Sequence, residues 1–148
     1  MKTILLTVLS LLFLGCVMMP PKQIQGFKTG NYNINTICTD KSVDETHSLL
    51  FSALKECYNT GMGTFVQSRE IGDIKQLVLK NIVGIRGEFR LSNFKEERYS
   101  NLVEIHEGNS SCKTSVDIYE PNFTPINDRS SRIKKWLKGE KVTGCGLY

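Results

Sequence analysis

Five cysteines, two histidines and a few carboxylates are the residues of this chain that could carry chemistry. The cysteines are Cys16, Cys38, Cys57, Cys112 and Cys145, an odd set without a single Cys-x-x-Cys spacing. His47 and His106 have no close cysteine neighbour, so no metal site is expected. In an oxidising compartment such thiols form disulfides. Four of them can pair in three ways, and the fifth must serve some other purpose. Among the acids, Glu96 and Glu97 sit beside Arg98 in a stretch that reads as a loop, while Glu104, Glu107 and Asp117 read as outward strand positions. Two carboxylates several ångströms apart can flank a glycosidic bond. Nothing in the sequence brings these together, and carboxylates are by default solvated surface groups. Gly-x-Ser-x-Gly, a Gly-rich phosphate loop and His-Glu-x-x-His are all missing from the sequence. The expectation is a protein that is not an enzyme and needs no cofactor.

The elements that must position these residues follow from periodicity. Ser42 and Glu45 make a capping box, and Val43, His47, Leu50, Leu54 and Cys57 then recur at steps of three and four. This predicts a helix over 43–58, with Cys57 facing the core and His47 half-buried on the same side, ending near Asn59 and Gly61. Alternation predicts strands over 74–80, 88–93, 102–107 and 112–119, the last two joined by a hairpin turn at 107–111. Tyr32, Ile34, Thr36 and Cys38 alternate with Asn33 and Asn35 and suggest a fifth strand. Cys38 and Cys112 are both expected on inward faces. The resulting fold class is α+β: an antiparallel sheet of about five strands with an N-terminal helix and a short C-terminal helix packed on it, held by two disulfides.

The C-terminal helix is predicted within DRSSRIKKWLKGEK. Asp128 or a following serine can cap it and Gly139 can end it, with Ile133, Trp136 and Leu137 on one side. Arg129, Arg132, Lys134, Lys135 and Lys138 make the other side. A basic face of this kind suits an anionic membrane or an acidic partner, while Trp136 suits packing on the sheet.

At the N-terminus, Met1-Lys2 precedes an apolar run from Ile4 to Val17, too short to span a bilayer, which needs about 20 residues. This is the layout of a secretory signal. Phe13-Leu14-Gly15-Cys16 resembles the lipobox of bacterial lipoproteins, departing from it at Phe13, where Leu, Val or Ile is commoner. The resemblance covers the first sixteen residues. It implies that the Cys16 thiol is diacylglycerylated, that the signal is cut before it, and that the new amine is acylated. Residues 1–15 are then a signal peptide, 16–30 a lipidated tether rich in Pro and Gly, and 31–148 one globular domain. Val17-Met18 lacks the aspartate that commonly retains such proteins in the inner membrane. The resemblance therefore implies an outer-membrane location, facing the periplasm.

With Cys16 given to lipid, Cys38, Cys57, Cys112 and Cys145 remain. Cys57 ends a helix that covers the sheet and Cys112 begins an inward-facing strand, so the expected pairs are Cys57 with Cys112 and Cys38 with Cys145. The 19 basic residues less Lys2 leave 18 against 15 acidic, a charge of +3, and no nucleic-acid motif accompanies it. The expected function is that of a membrane-anchored adaptor or interaction module with a protein partner in the envelope. Two alternatives remain: an inhibitor or immunity protein against an envelope-attacking enzyme, and an envelope hydrolase with a scattered site. Rigid, disulfide-stapled domains suit blocking because little freedom is lost on binding.

Overall fold

Ser42 begins the longest helix in the way its sequence requires. In the computed structural model, which describes residues 21–58, 64–84, 95–121 and 129–141, the Ser42 N–H donates to Glu45 Oε2 at 2.9 Å and the Glu45 N–H donates to Ser42 Oγ at 3.3 Å. The reciprocal bonds satisfy donors that a helix start otherwise leaves open. The elements are α1 (Gln25–Thr29), β1 (Tyr32–Thr39), α2 (Val43–Tyr58), β2 (Thr64–Ile71), β3 (Ile74–Gly84), β4 (Lys95–Glu107), β5 (Thr114–Pro121) and α3 (Arg129–Leu137).

The five strands form one antiparallel sheet in the order β1-β5-β4-β3-β2. Helix α2 carries the chain from one edge to the other, and β2 to β5 return as a meander that ends beside β1. Architecture and helix positions agree with the expectation, but the strand set differs. Strand β2 was not expected, because its apolar residues Phe65, Val66 and Ile71 do not alternate and two of them are exposed. The signal available for it was Gly72-Asp73, a two-residue turn between Ile71 and Ile74 with Gly72 alone at positive φ (58°), the residue a II′ hairpin favours. The strand expected over 88–93 lies outside the described residues. Glu96 and Glu97 belong to β4 rather than to a loop.

Helices α2 and α3 cover the first face of the sheet. Leu50, Leu54, Cys57 and Tyr58 of α2 meet Leu77 and Leu79 of β3, Val103 and Ile105 of β4, and Val116 and Ile118 of β5. Ile133, Trp136 and Leu137 of α3 complete this core. Each large aliphatic side chain buried there contributes about 1.5–3 kcal/mol. The terminus of α3 is tied by the Gly139 N–H to Trp136 O (2.9 Å) and by the Glu140 N–H to Lys135 O (3.0 Å), the two bonds of a Schellman motif. Its start is capped from a distance, by Glu120 Oε1 accepting from the Ser130 N–H at 2.8 Å. Asp128 lies outside the described residues.

The second face carries a smaller cluster of Phe27, Val78, Leu102 and Tyr119, with Ile24, Tyr32 and Tyr99 packed against it. Tyr99 joins it through a bulge: Leu79 pairs with Asn101 but Lys80 with Tyr99, so Ser100 is the extra residue. The Tyr99 N–H donates to Pro21 O at 2.9 Å. Residues 16–30 are expected to be a lipidated tether. Over 21–30 the chain also packs on the sheet: α1 buries Phe27, which is only 2% exposed.

Candidate functional site

On the second face one row of polar residues crosses four strands. Thr36 stands beside Asp117, Asp117 beside Glu104, and Glu104 beside Gln76. Helix α1 divides this row in two. Beneath it Glu104 is buried, its Oε1 accepting from Lys28 Nζ (2.8 Å) and Gln76 Nε2 (2.7 Å), its Oε2 from the Tyr119 hydroxyl (2.8 Å). Burial alone would raise the Glu104 carboxyl, but the bonds from Lys28, Tyr119 and Gln76 outweigh it and hold the group below its ordinary range. Burial, and then the Glu104 carboxylate, push the Tyr119 phenol well up. Glu104 is thus a fixed negative charge and not a proton donor at neutral pH.

The other half of the row is open. The Thr36 hydroxyl donates to Asp117 Oδ1 at 2.6 Å, and His106 Nε2 stands 3.1 Å from Asp117 Oδ2. His106 Nδ1 lies 2.9 Å from the Glu107 carbonyl oxygen. Both ring nitrogens therefore face acceptors, which favours the doubly protonated ring. The bond to Asp117 raises the His106 pKa most, burial opposes it, and the Glu107 carbonyl adds to the rise. While both bonds stand, His106 has no free nitrogen with which to take a proton from a nucleophile. What it offers, when protonated, is a ring that donates from both nitrogens in a half-exposed polar surface.

His106 and Thr36 line a shallow cleft of about 470 Å³, with Ser111 and Ser115 and the Cys38–Cys112 disulfide. The turn at its rim is tight: the Gly108 N–H donates to Lys113 O at 3.0 Å, and a Cβ at Gly108 would run into the Cys112 carbonyl. The disulfide corrects the expected pairing of Cys57 with Cys112 and Cys38 with Cys145. Cys38 lies opposite Ser115 on the second face and is exposed, while Cys112 sits in the turn before β5. Register brings these two together, at a Cα separation of 5.5 Å. A bridge closing 74 residues contributes about 4 kcal/mol in the chain-entropy model. Cys57 is also disulfide-bonded.

This chain matches no family model, no curated protein and no solved structure in the comparisons. The site must therefore be read from its own geometry. His47 sits where expected, half-buried on α2, bonded through Nε2 to Ser68 Oγ at 2.7 Å and stacked on Phe51. Glu97 is exposed and paired with Lys80. Of the five basic residues expected on one face of α3, two are used internally: Arg129 donates to Ser100 O (2.9 Å) and Arg132 to the Tyr58 hydroxyl (3.3 Å). Lys134, Lys135 and Lys138 are exposed, without an ion pair among the described residues.

Glu104 and Asp117, expected at outward strand positions, both lie on the face opposite the first core, but Glu104 is buried there beneath α1. The sequence reading missed that Lys28 and Gln76 converge on Glu104 and Thr36 on Asp117. The available signal was Phe27-Lys28, an aromatic and a cation beside a glycine in a stretch read as tether. No helix among the described residues is long and apolar enough to cross a membrane, and no cluster of three or more His, Cys, Asp or Glu among them could hold a metal ion.

Proposed function

We propose that this protein is a lipid-anchored envelope protein, held by acyl chains on Cys16 and facing the periplasm, that binds an envelope protein through the open half of its second sheet face. The observation that carries the reading is the cleft beside His106 and Asp117. Its walls are fixed by a disulfide and a tight turn, its polar groups are already oriented by one another, and α1 leaves it uncovered. A preformed surface of this kind loses little freedom on association. Disulfide bonding at Cys38, Cys57 and Cys112 supports an oxidising compartment. In this reading the groups of the site bind and do not turn over a substrate.

The test is crosslinking and pull-down from solubilised envelopes with the native, lipidated protein. Thr36→Arg with Ser111→Arg, both at exposed cleft positions, is expected to abolish capture of a partner that wild type retains. Reversal of Lys134, Lys135 and Lys138 to Glu is expected to leave that capture intact. If the reversal abolishes capture and the cleft variant does not, the binding face is α3. Failure of wild type to take up labelled fatty acid would refute the anchor on Cys16.

A further inference from the structure

Three large apolar side chains stand exposed among the described residues: Ile34 on β1 (56%), and Phe65 (42%) and Ile71 (58%) on β2. Two of the three thus share one edge strand. Among the described residues β2 pairs with β3 alone, so its outer side presents unpaired backbone N–H and C=O groups. It has neither a proline nor a bulge in its register to deter another strand, and its two charges, Arg69 and Glu70, are of opposite sign.

The hairpin determines which groups are free. Ile71 and Ile74 flank a two-residue turn, and residues so placed exchange both backbone hydrogen bonds. Bonded pairs recur at every second residue, so Arg69, Gln67 and Phe65 commit their backbone groups to β3. Thr64, Val66, Ser68 and Glu70 aim theirs at the open edge. A second antiparallel strand carrying the same sequence must set these even-numbered residues against one another. The register centred on Ser68 does this, and it also sets Phe65 opposite Ile71 of the second copy on both sides of the dyad. These apolar pairs occupy non-hydrogen-bonded positions, where opposed side chains approach most closely. Arg69 then opposes Gln67 and Glu70 opposes Val66, so no like charges meet.

We propose that this protein forms a two-fold homodimer through β2, in the register centred on Ser68, with one continuous sheet running through both copies. The interface is isologous, as closed two-fold symmetry requires. Phe65 and Ile71 lie on the second face, so the dimer also turns both clefts to the same side of the joint sheet.

Sedimentation of the full chain in detergent over about a hundredfold range of concentration tests the assembly, with a monomer–dimer equilibrium expected. Phe65→Lys with Ile71→Lys, at positions that are already exposed, is expected to raise the dimer dissociation constant at least about tenfold without changing the circular dichroism. Single cysteines read the register. Across a hydrogen-bonded antiparallel pair the Cα atoms stand about 5.5 Å apart, within disulfide reach. Ser68→Cys should therefore give a covalent dimer on a non-reducing gel under mild oxidation, while Glu70→Cys, which opposes Val66, should not. Wild type that remains monomeric throughout, or equal crosslinking of the two cysteine variants, would overturn the proposal. These readouts involve neither cleft nor lipid, so they stand apart from the test of binding.

Discussion

On the first face of the sheet, Leu50, Leu54, Ile133, Trp136 and Leu137 reach from two helices into a broad layer of aliphatic and aromatic side chains. On the second, five residues of α1 lay Phe27 over Val78, Leu102 and Tyr119 and bring Lys28 to a buried Glu104. The strands are the same, but the covers differ in kind. A large apolar layer is non-directional and tolerates small shifts in helix position. A buried carboxylate with three donors does not, because each donor must stay within hydrogen-bond reach. The first face therefore holds the fold together, and the second fixes the position of the N-terminal segment and leaves its remaining surface available.

Truncating one anchor on each side should separate the two roles, and the largest effect is expected on the first face. Leu54→Ala is expected to cost about 3 kcal/mol, within the range for a buried leucine, as a fall in the urea midpoint at unchanged slope. Phe27→Ala is expected to cost about 1–2 kcal/mol globally, because α1 can open locally while the sheet and its two helices persist. Hydrogen exchange at the Tyr99 amide, which donates to Pro21 O, should accelerate in this variant more than exchange at core strand amides. If Phe27→Ala lowers the midpoint as far as Leu54→Ala, α1 belongs to the cooperative core and the contrast between the faces is lost.

The same contrast explains what could be read from the sequence. Helix α2 was legible to the residue, since Ser42 and Glu45 mark its start and its buried face recurs at the helical period. So were the phases of β4 and β5 where they face each other: Val103, Ile105, Val116 and Ile118 point into the first core, while Glu104, His106, Ser115 and Asp117 alternate with them. For β1 the alternation of Tyr32, Ile34, Thr36 and Cys38 was correct, but its direction was not: it is Ile37, on the opposite side, that packs against the first core. Strand β2 was illegible to alternation because an edge strand with an uncovered face has no need of it. The polar row was illegible for a further reason. Periodicity says which residues leave the first core, but not whether another segment returns to cover them, and the five residues of α1 are too few to show a period.

Glu104 tests whether the second cover depends on charge. Glu104→Gln keeps the shape but turns an acceptor oxygen into a donor facing groups that already donate, and its expected cost is about 1–2 kcal/mol. Lys28 is partly exposed and can turn to water, which limits the loss. The carboxyl is held below its ordinary range in the folded protein, so its contribution is present above the unfolded pKa, about 4.3, and is lost as pH falls through the folded value. Urea unfolding of wild type and Glu104→Gln should therefore converge in acid and separate by pH 6. A constant difference down to the lowest pH that permits folding would mean that Glu104 acts by packing alone.

The smallest effect comes from the two histidines, one beside each face, and they should respond to pH with opposite signs. His47 is lowered, first by burial against α2 and β2 and then by Lys75, with Glu70 and Asp44 opposing. The unfolded chain then binds the proton more readily, so this group destabilises the fold as pH falls below about 6.5. His106 is raised, first by its bond to Asp117, so the folded chain holds the proton more tightly. Its contribution is full below about 6.5 and is lost as pH rises through the folded value. Both rings are half-exposed and screened, so each effect should stay below about 1 kcal/mol. Stability measured from pH 5 to 8.5 should accordingly rise less steeply with pH in His47→Gln than in wild type, and should lose its alkaline decline in His106→Gln. Slopes of the same sign for the two variants would mean that the Asp117 bond does not hold the proton on His106.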